Sequence, residues 1–217
     1  HIRERYERMY SGVFKLRYID GLWVVAEGLV YPMWSDSYVQ ELEPKLDKSG
    51  KDKRQYIIAI DYGIKNPFAA IMLTVSEGKL WAVDEYRWDS EAEGKRRTDE
   101  EHYDAIEEWF GDKEVEYIVI DPSATSFREL LNRKDKYWHK GADNAVLDGI
   151  SKVSTLIGSG LLMASQKCTG LLEEFGLYCW DPKSDADKVA KESDHFCDAL
   201  RYGTQEVFDQ IMDGQVV

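Results

Sequence analysis

Apolar and polar positions follow two kinds of spacing along most of this chain. Short apolar runs rich in β-branched residues predict five strands, and segments with apolar residues three or four positions apart predict helices. The predicted strands cover residues 56–61, 68–75, 80–88, 115–121 and 161–165. The predicted helices cover residues 98–111, 123 or 125 to about 132, 144–160, about 169–178 and 195–211. The order β-β-β-α-β-α-α-β-α-α predicts an α/β domain with a mixed sheet.

Turn and cap residues support this order. The turn YGIKNP separates the first two strands and SEGK separates the second from the third, so the first three strands are predicted to form an antiparallel meander. Thr98 with Glu101 fits a capping box at the start of the first predicted helix, and Gly111 fits its end. The later strands then follow as parallel crossovers.

The first 54 residues differ in composition from the rest. Residues 1–12 have a short polar helical pattern, and residues 17–36 predict a hairpin or an extended ribbon that carries aromatic side chains. Residues 43–55, EPKLDKSGKDKRQ, have the composition of a linker. We therefore predict a linker segment over 1–54 and the main domain over 55–217. The chain does not begin with Met, so we expect it to be a piece of a longer protein.

Composition excludes several classes of protein. With 43% hydrophobic and 32% charged residues in 217, the chain is predicted to be globular, and it has no apolar run long enough for a membrane span and no signal peptide. Its three cysteines lack C-x-x-C spacing, which favours a reducing, cytosolic setting over a disulfide framework or a thiolate zinc site. A formal net charge of −13 argues against nonspecific binding of nucleic acid over the whole surface.

Two predicted strands end abruptly on an aspartate. YIIAID ends on Asp61 and YIVID ends on Asp121. If these strands are parallel neighbours, both carboxylates project at one edge of the sheet, where a divalent cation would relieve their repulsion. Oxygen ligands favour Mg²⁺ or Mn²⁺. Gly63 would let a backbone or a phosphate approach closely. Each aspartate alone fits an ordinary turn residue equally well.

The last predicted helix offers further candidates in SDHFCDALRYG. His195 and Asp198 are three residues apart and share a helix face, as do Asp194 and Asp198 at a separation of four. Asp198 is the stronger candidate because Asp194 is explained equally well as an N-cap. His195 alone also fits a structural or surface histidine.

Basic residues cluster in four places: 51–54, 95–97, 132–140 and 188–191. Each cluster alone fits a solvated surface. The third interleaves aromatic residues with lysines and could contact a phosphate backbone, and the fourth directly precedes the candidate site, where it could act as a substrate clamp.

The three motifs IDYGIKNPFAA, IDPSA and DHFCDALRYG, in this order, resemble the ribonuclease H-like nuclease domain of the large terminase subunit of tailed bacteriophages. The ribbon DGLWVVAEGLVYPMW resembles the segment that leads from that family's ATPase domain into the nuclease. The resemblance implies a five-stranded mixed sheet with helices on both faces. By motif position it implies that Asp61, Asp121 and Asp198 are catalytic metal ligands, with His195 as a further ligand or proton carrier.

The resemblance also implies a function. It implies endonucleolytic cutting of concatemeric double-stranded viral DNA during packaging, of the headful type, with two Mg²⁺ or Mn²⁺ ions. The implied partners are DNA, the terminase small subunit and the portal protein, and the implied location is the cytoplasm of the infected bacterium. No phosphate-binding G-x-x-x-x-G-K-[ST] motif occurs in the chain, so we expect it to cleave DNA but not to translocate it.

Three alternatives remain open from the sequence. A resolvase or transposase would share the fold and prefer other DNA substrates. An actin-like or hexokinase-like nucleotide-binding domain also begins with Asp-x-Gly, although IDPSAT lacks the glycine that its second phosphate turn needs. A noncatalytic docking module would carry the carboxylates as surface features.

Overall fold

The structure is a computed structural model, and it describes residues 10, 14, 15, 19–21, 26–63, 67–184 and 186–215. Its strands are β1 (Gln55–Asp61), β2 (Phe68–Ser76), β3 (Lys79–Trp88), β4 (Glu114–Ile120), β5 (His139–Gly141) and β6 (Leu162–Ala164). Its α-helices are α1 (Asp99–Phe110), α2 (Thr125–Lys134), α3 (Val146–Gly158), α4 (Thr169–Phe175) and α5 (His195–Gly214). A 3₁₀ turn covers Asp36–Tyr38.

The strands form one mixed sheet in the order β5-β4-β1-β2-β3-β6. The pairs β1–β2 and β2–β3 are antiparallel, as the meander predicted, and β4 pairs with β1 in parallel. The edge strands β5 and β6 are parallel to β4 and β3. Since β1 and β4 are parallel neighbours, their carboxyl ends lie at the same edge of the sheet.

The prediction of five strands was wrong, because the sheet has a sixth. The missed strand is β5, which has only three residues and lies inside the basic cluster 132–140 and the residue after it. A strand this short shows no alternation of apolar and polar residues, and its charged neighbours favoured a loop. The true order of elements is therefore β-β-β-α-β-α-β-α-β-α-α.

The sheet separates two apolar cores. Along β1, Ile57 and Ala59 point into one core with α3, α4 and α5, while Ile58 and Ile60 point into the other with α1 and α2. Strands buried on both faces read as continuous apolar runs, which is why β1 was recognisable from sequence. Helices cover both faces, as predicted. The capping box of Thr98 and Glu101 at the start of α1 is also confirmed.

Helix α5 approaches the sheet closely. A Cβ atom added to Gly203 would lie 2.1 Å from Leu73 Cδ1 and 3.2 Å from Ala59 Cβ. Glycine at this position therefore lets the helix backbone lie against β1 and β2. The close packing fixes where the first turn of α5 stands relative to the end of β1.

The described part of the first 54 residues packs against the main domain. Leu29 bridges Cys179, Val39 bridges Ala164, and the Tyr31 ring contacts Phe175 edge to face. The predicted helix over 1–12 lies largely outside the described residues, as does part of the ribbon over 17–36. The domain boundary at 54 stays a prediction. No helix within the described ranges is long and apolar enough to cross a membrane.

Candidate functional site

Two of the candidate aspartates lie side by side at the carboxyl edge of the central strands. Asp61 is the last residue of β1, and Asp121 follows the last residue of β4. The backbone N–H of Asp121 donates to Ile60 O at 3.1 Å, which extends the ladder between the two strands to their ends. Asp121 Oδ1 accepts the N–H of Ser123 at 2.8 Å, so it also orders the turn before α2.

The start of α5 brings His195 to the same edge. His195 Nδ1 lies 2.9 Å from Asp61 Oδ2, across 134 residues of sequence. Both side chains are largely buried. A histidine that pairs with a site carboxylate differs from the solvated surface histidine that the sequence left open. As the first residue of a helix packed on the sheet, His195 is held in place by both ends of the contact.

Asp198 lies one turn into α5, where it pairs with a buried cation. Arg201 Nη2 donates to Asp198 Oδ1 at 3.0 Å and Nε donates to the same oxygen at 3.2 Å. The exposed fraction is 1% for Arg201 and 8% for Asp198. Lys191 approaches from the preceding loop, with Nζ 3.9 Å from Asp198 Oδ2. The third predicted aspartate is therefore buried and charge-compensated near the site.

Sequence reasoning undervalued Asp194. It occupies the N-cap position of α5, yet its side chain makes no cap hydrogen bond and is 6% exposed. Its carboxylate lies 3.5 Å from Lys191 Nζ, and its charge acts on Asp61 and Asp198. The N-cap explanation therefore does not account for this side chain. Only its spacing of four from Asp198 hinted at a shared face.

The carboxylates influence one another's acidity. Burial raises the pKa of Asp61, the bond to His195 opposes this, and the charges of Asp121 and Asp194 raise it further. Burial also raises the pKa of Asp198, against the opposing charge of Arg201. For His195, burial favours the neutral ring, but the bond and charge of Asp61 outweigh it and raise the pKa. The edge thus concentrates negative charge that a cation would stabilise.

The donor set fits a hard divalent cation by its chemistry. It consists of clustered carboxylate oxygens, with Asp61 and Asp198 destabilised by burial and by neighbouring negative charge. Among the described side chains, however, no three His, Cys, Asp or Glu already stand in an arrangement that would hold an ion. The contacts observed instead are His195 with Asp61 and Arg201 with Asp198. An ion would have to replace or rearrange part of this pairing.

The basic clusters separate into paired and site-adjacent groups. In the cluster 132–140, four cations pair with carboxylates, namely Arg133 and Lys134 with Glu100, Lys136 with Glu107, and Lys140 with Glu206. This pairing favours a solvated surface there. Lys191, from the cluster 188–191, is 74% exposed and lies beside the acidic edge. Arg128 packs near Gly141, and its buried Nε has no hydrogen-bond partner among the described residues.

A family model described as a terminase RNaseH-like domain matches residues 58–206 of this chain. The large terminase subunit of Escherichia phage T5 is 26% identical over 157 residues, which is 70% of this chain and 35% of the T5 protein. The region matched by the family model includes the strands and the helix that bear the four candidate residues of the site.

Solved structures agree with the family model. The large terminase of a thermophilic bacteriophage is 35% identical with a TM-score of 0.86, over 95% of this chain and 52% of that one. The large terminase nuclease of the thermophilic phage G20c, solved with bound magnesium, has a TM-score of 0.58 at 14% identity, over 82% of this chain and 97% of the G20c chain. The chain thus spans about half the length of the first of these relatives, and about a third of the T5 protein.

Proposed function

Because the chain belongs to the terminase RNaseH-like domain family, we propose that it is the DNA-cutting part of a phage packaging enzyme. The membership confirms the resemblance drawn from the three motifs and the ribonuclease H-like fold. The proposed activity is metal-dependent endonucleolytic cleavage of concatemeric double-stranded viral DNA. The observation that carries the proposal is the meeting of Asp61, Asp121 and the start of α5 at one edge of the sheet.

The proposed metal ligands are Asp61, Asp121 and Asp198, with His195 and Asp194 beside them. Two bound Mg²⁺ or Mn²⁺ ions would supply activation of a water for in-line attack on the phosphodiester and stabilisation of the leaving 3′ oxygen. The G20c nuclease with magnesium supports a divalent ion in this fold. Asp61, at the end of a rigid central strand, would hold its carboxylate without moving.

His195 has a role that the ion pair defines. Its raised pKa and its contact with Asp61 make it a proton carrier at the edge of the site. Arg201 keeps Asp198 charged despite its burial. Lys191 and Arg128 are placed to attract the phosphate backbone toward the edge, since neither is committed to a strong ion pair.

The partners and location follow from the family. We propose double-stranded DNA as the substrate and the terminase small subunit and portal protein as partners. The proposed location is the cytoplasm of the infected bacterium. Residues 1–54 would connect the nuclease to a preceding ATPase domain.

A plasmid-nicking assay tests the proposed activity. The chain should convert supercoiled plasmid to open-circular and linear forms with Mn²⁺ or Mg²⁺, and chelation of the metal should stop the reaction. The variants Asp61→Asn, Asp121→Asn and Asp198→Asn should each lower the rate by at least about 100-fold, because each loses one anionic ligand.

An exposed acid far from the site supplies the control. Asp112→Asn, in the loop after α1, should nick at the wild-type rate. Circular dichroism should show that all four variants remain folded. Full activity in the Asp61, Asp121 and Asp198 variants would refute the assignment, and cleavage that persists without any divalent metal would refute the metal-dependent chemistry.

A further inference from the structure

Glu174 makes a contact that the proposed chemistry does not use. It lies near the end of α4 and is 5% exposed. One of its carboxylate oxygens, Oε2, accepts the backbone N–H of Phe196 at 2.8 Å and that of Cys197 at 2.9 Å. These two groups belong to the first turn of α5, where backbone N–H groups have no partner within the helix.

Helix α5 depends on this outside acceptor because it lacks a cap of its own. The side chain of Asp194, at the N-cap position, makes no cap hydrogen bond. The residue before it, Ser193, has a left-handed backbone with φ of 53°, so the chain enters the helix abruptly. A carboxylate at a helix N-terminus also complements the partial positive charge of the helix dipole. Glu174 therefore supplies from α4 what the local sequence does not.

The turn held by Glu174 is the turn that carries the site. His195 immediately precedes the two bonded N–H groups, and Asp198 immediately follows them. We propose that Glu174 is a positioning residue, which fixes the first turn of α5 so that His195 and Asp198 are held against Asp61. This inference rests on the proposed function in so far as the turn serves DNA cleavage.

Helix α4 is itself anchored to the sheet. Glu85 of β3 accepts the N–H of Gly170 at 2.6 Å and the N–H of Leu171 at 3.0 Å. A Cβ atom on Gly170 would lie 2.3 Å from the Phe196 ring, so glycine there allows α4 and α5 to meet. The support therefore runs from β3 through α4 to the first turn of α5. An anchored α4 gives Glu174 a fixed point from which to act.

Two substitutions separate positioning from charge. Glu174→Ala removes the acceptor, whereas Glu174→Gln removes the negative charge but keeps an oxygen that can accept both N–H groups. The matched control is Glu41→Ala, because Glu41 also accepts a backbone N–H, that of Gln166 at 2.8 Å, but does not bond to α5. Each variant is measured by amide hydrogen exchange at Phe196 and Cys197, by Mn²⁺ affinity in calorimetry and by plasmid nicking.

Positioning predicts a specific pattern. Glu174→Ala should speed exchange at the two amides by at least about tenfold and should weaken Mn²⁺ binding and nicking about 10- to 100-fold. Glu174→Gln should restore most of all three, and Glu41→Ala should match the wild type. Unchanged exchange and unchanged nicking in Glu174→Ala would overturn the inference, and so would a glutamine variant that fails as badly as the alanine variant.

The readouts also keep this inference apart from the proposed function. If the wild type does not nick DNA with any metal, the proposed function fails, but the amide exchange still shows whether Glu174 holds the turn. If the wild type nicks and Glu174→Ala exchanges faster yet nicks normally, only the positioning role fails.

Discussion

Removing Arg201 tests how far the buried pair with Asp198 supports the site. Arg201 is 1% exposed and donates twice to one oxygen of Asp198, at 3.0 and 3.2 Å. Loss of one partner of a buried ion pair costs about 3–5 kcal/mol, because the remaining charge is left uncompensated. Arg201→Met keeps the aliphatic stem, which packs over Gly149. The loss should therefore come mainly from charge and hydrogen bonds.

We expect Arg201→Met to lower the free energy of unfolding by about 3 kcal/mol, the low end of that range. Lys191 remains 3.9 Å from the other oxygen of Asp198 and limits the cost. Urea unfolding at neutral pH measures the change. The exposed pair of Lys152 with Asp148, at 2.8 Å, is the control, and Lys152→Met should change stability by less than about 1 kcal/mol.

A double-mutant cycle isolates the pair. Asp198→Asn removes the charge that Arg201 compensates, so the two substitutions together should cost less than the sum of the two alone. The expected interaction energy is on the order of 1–3 kcal/mol. Additivity to within about 0.5 kcal/mol would refute the reasoning, since it would mean that the two side chains do not support each other.

Three further outcomes are expected from other parts of the molecule. Gly203→Ala should lower the thermal midpoint, because overpacking against Leu73 costs about 1–3 kcal/mol and the better helix propensity returns only about 1 kcal/mol; an unchanged midpoint would contradict the close approach. Burial lowers the pKa of His102 to about 4, so the folded chain stays neutral where the unfolded chain takes up a proton. Its contribution to stability should therefore fall as pH drops from about 6.5 to about 4, and urea midpoints of wild type and His102→Phe at pH 7 and pH 5 should show a smaller loss in the variant. Trp138→Ala should leave DNA affinity in a fluorescence-anisotropy titration unchanged, because the side chain is 63% exposed on an edge whose cations are paired; a tenfold loss would make that edge a DNA contact.

Much of the fold could be predicted because its central strands are buried on both faces. Continuous apolar runs that end on a carboxylate identified β1 and β4, and with them the edge where Asp61 and Asp121 meet. The three-residue strand β5 was missed because its pairing depends on β4 and not on its own sequence. Short edge strands carry too little periodicity to be read locally.

The supporting contacts of the site were beyond sequence reasoning for a similar reason. Nothing distinguishes Glu174 from Glu173 in the run LLEEF, yet only Glu174 is buried and bonded to the next helix. Asp194 looked like an ordinary cap because N-capping is decided by side-chain geometry. Local composition supplied the candidate acids, and tertiary packing decided which of them act together.

The convergence of Asp61, Asp121 and Asp198 on a metal is tested most directly by the anomalous difference map of crystals soaked in Mn²⁺. The account predicts at least one strong peak at about 2.0–2.4 Å from carboxylate oxygens of Asp61 and of at least one of the other two aspartates. It also predicts that the peak disappears in crystals of Asp61→Asn. A map without a peak at this edge, from crystals that bind Mn²⁺ elsewhere or not at all, would contradict the metal site and with it the proposed mechanism.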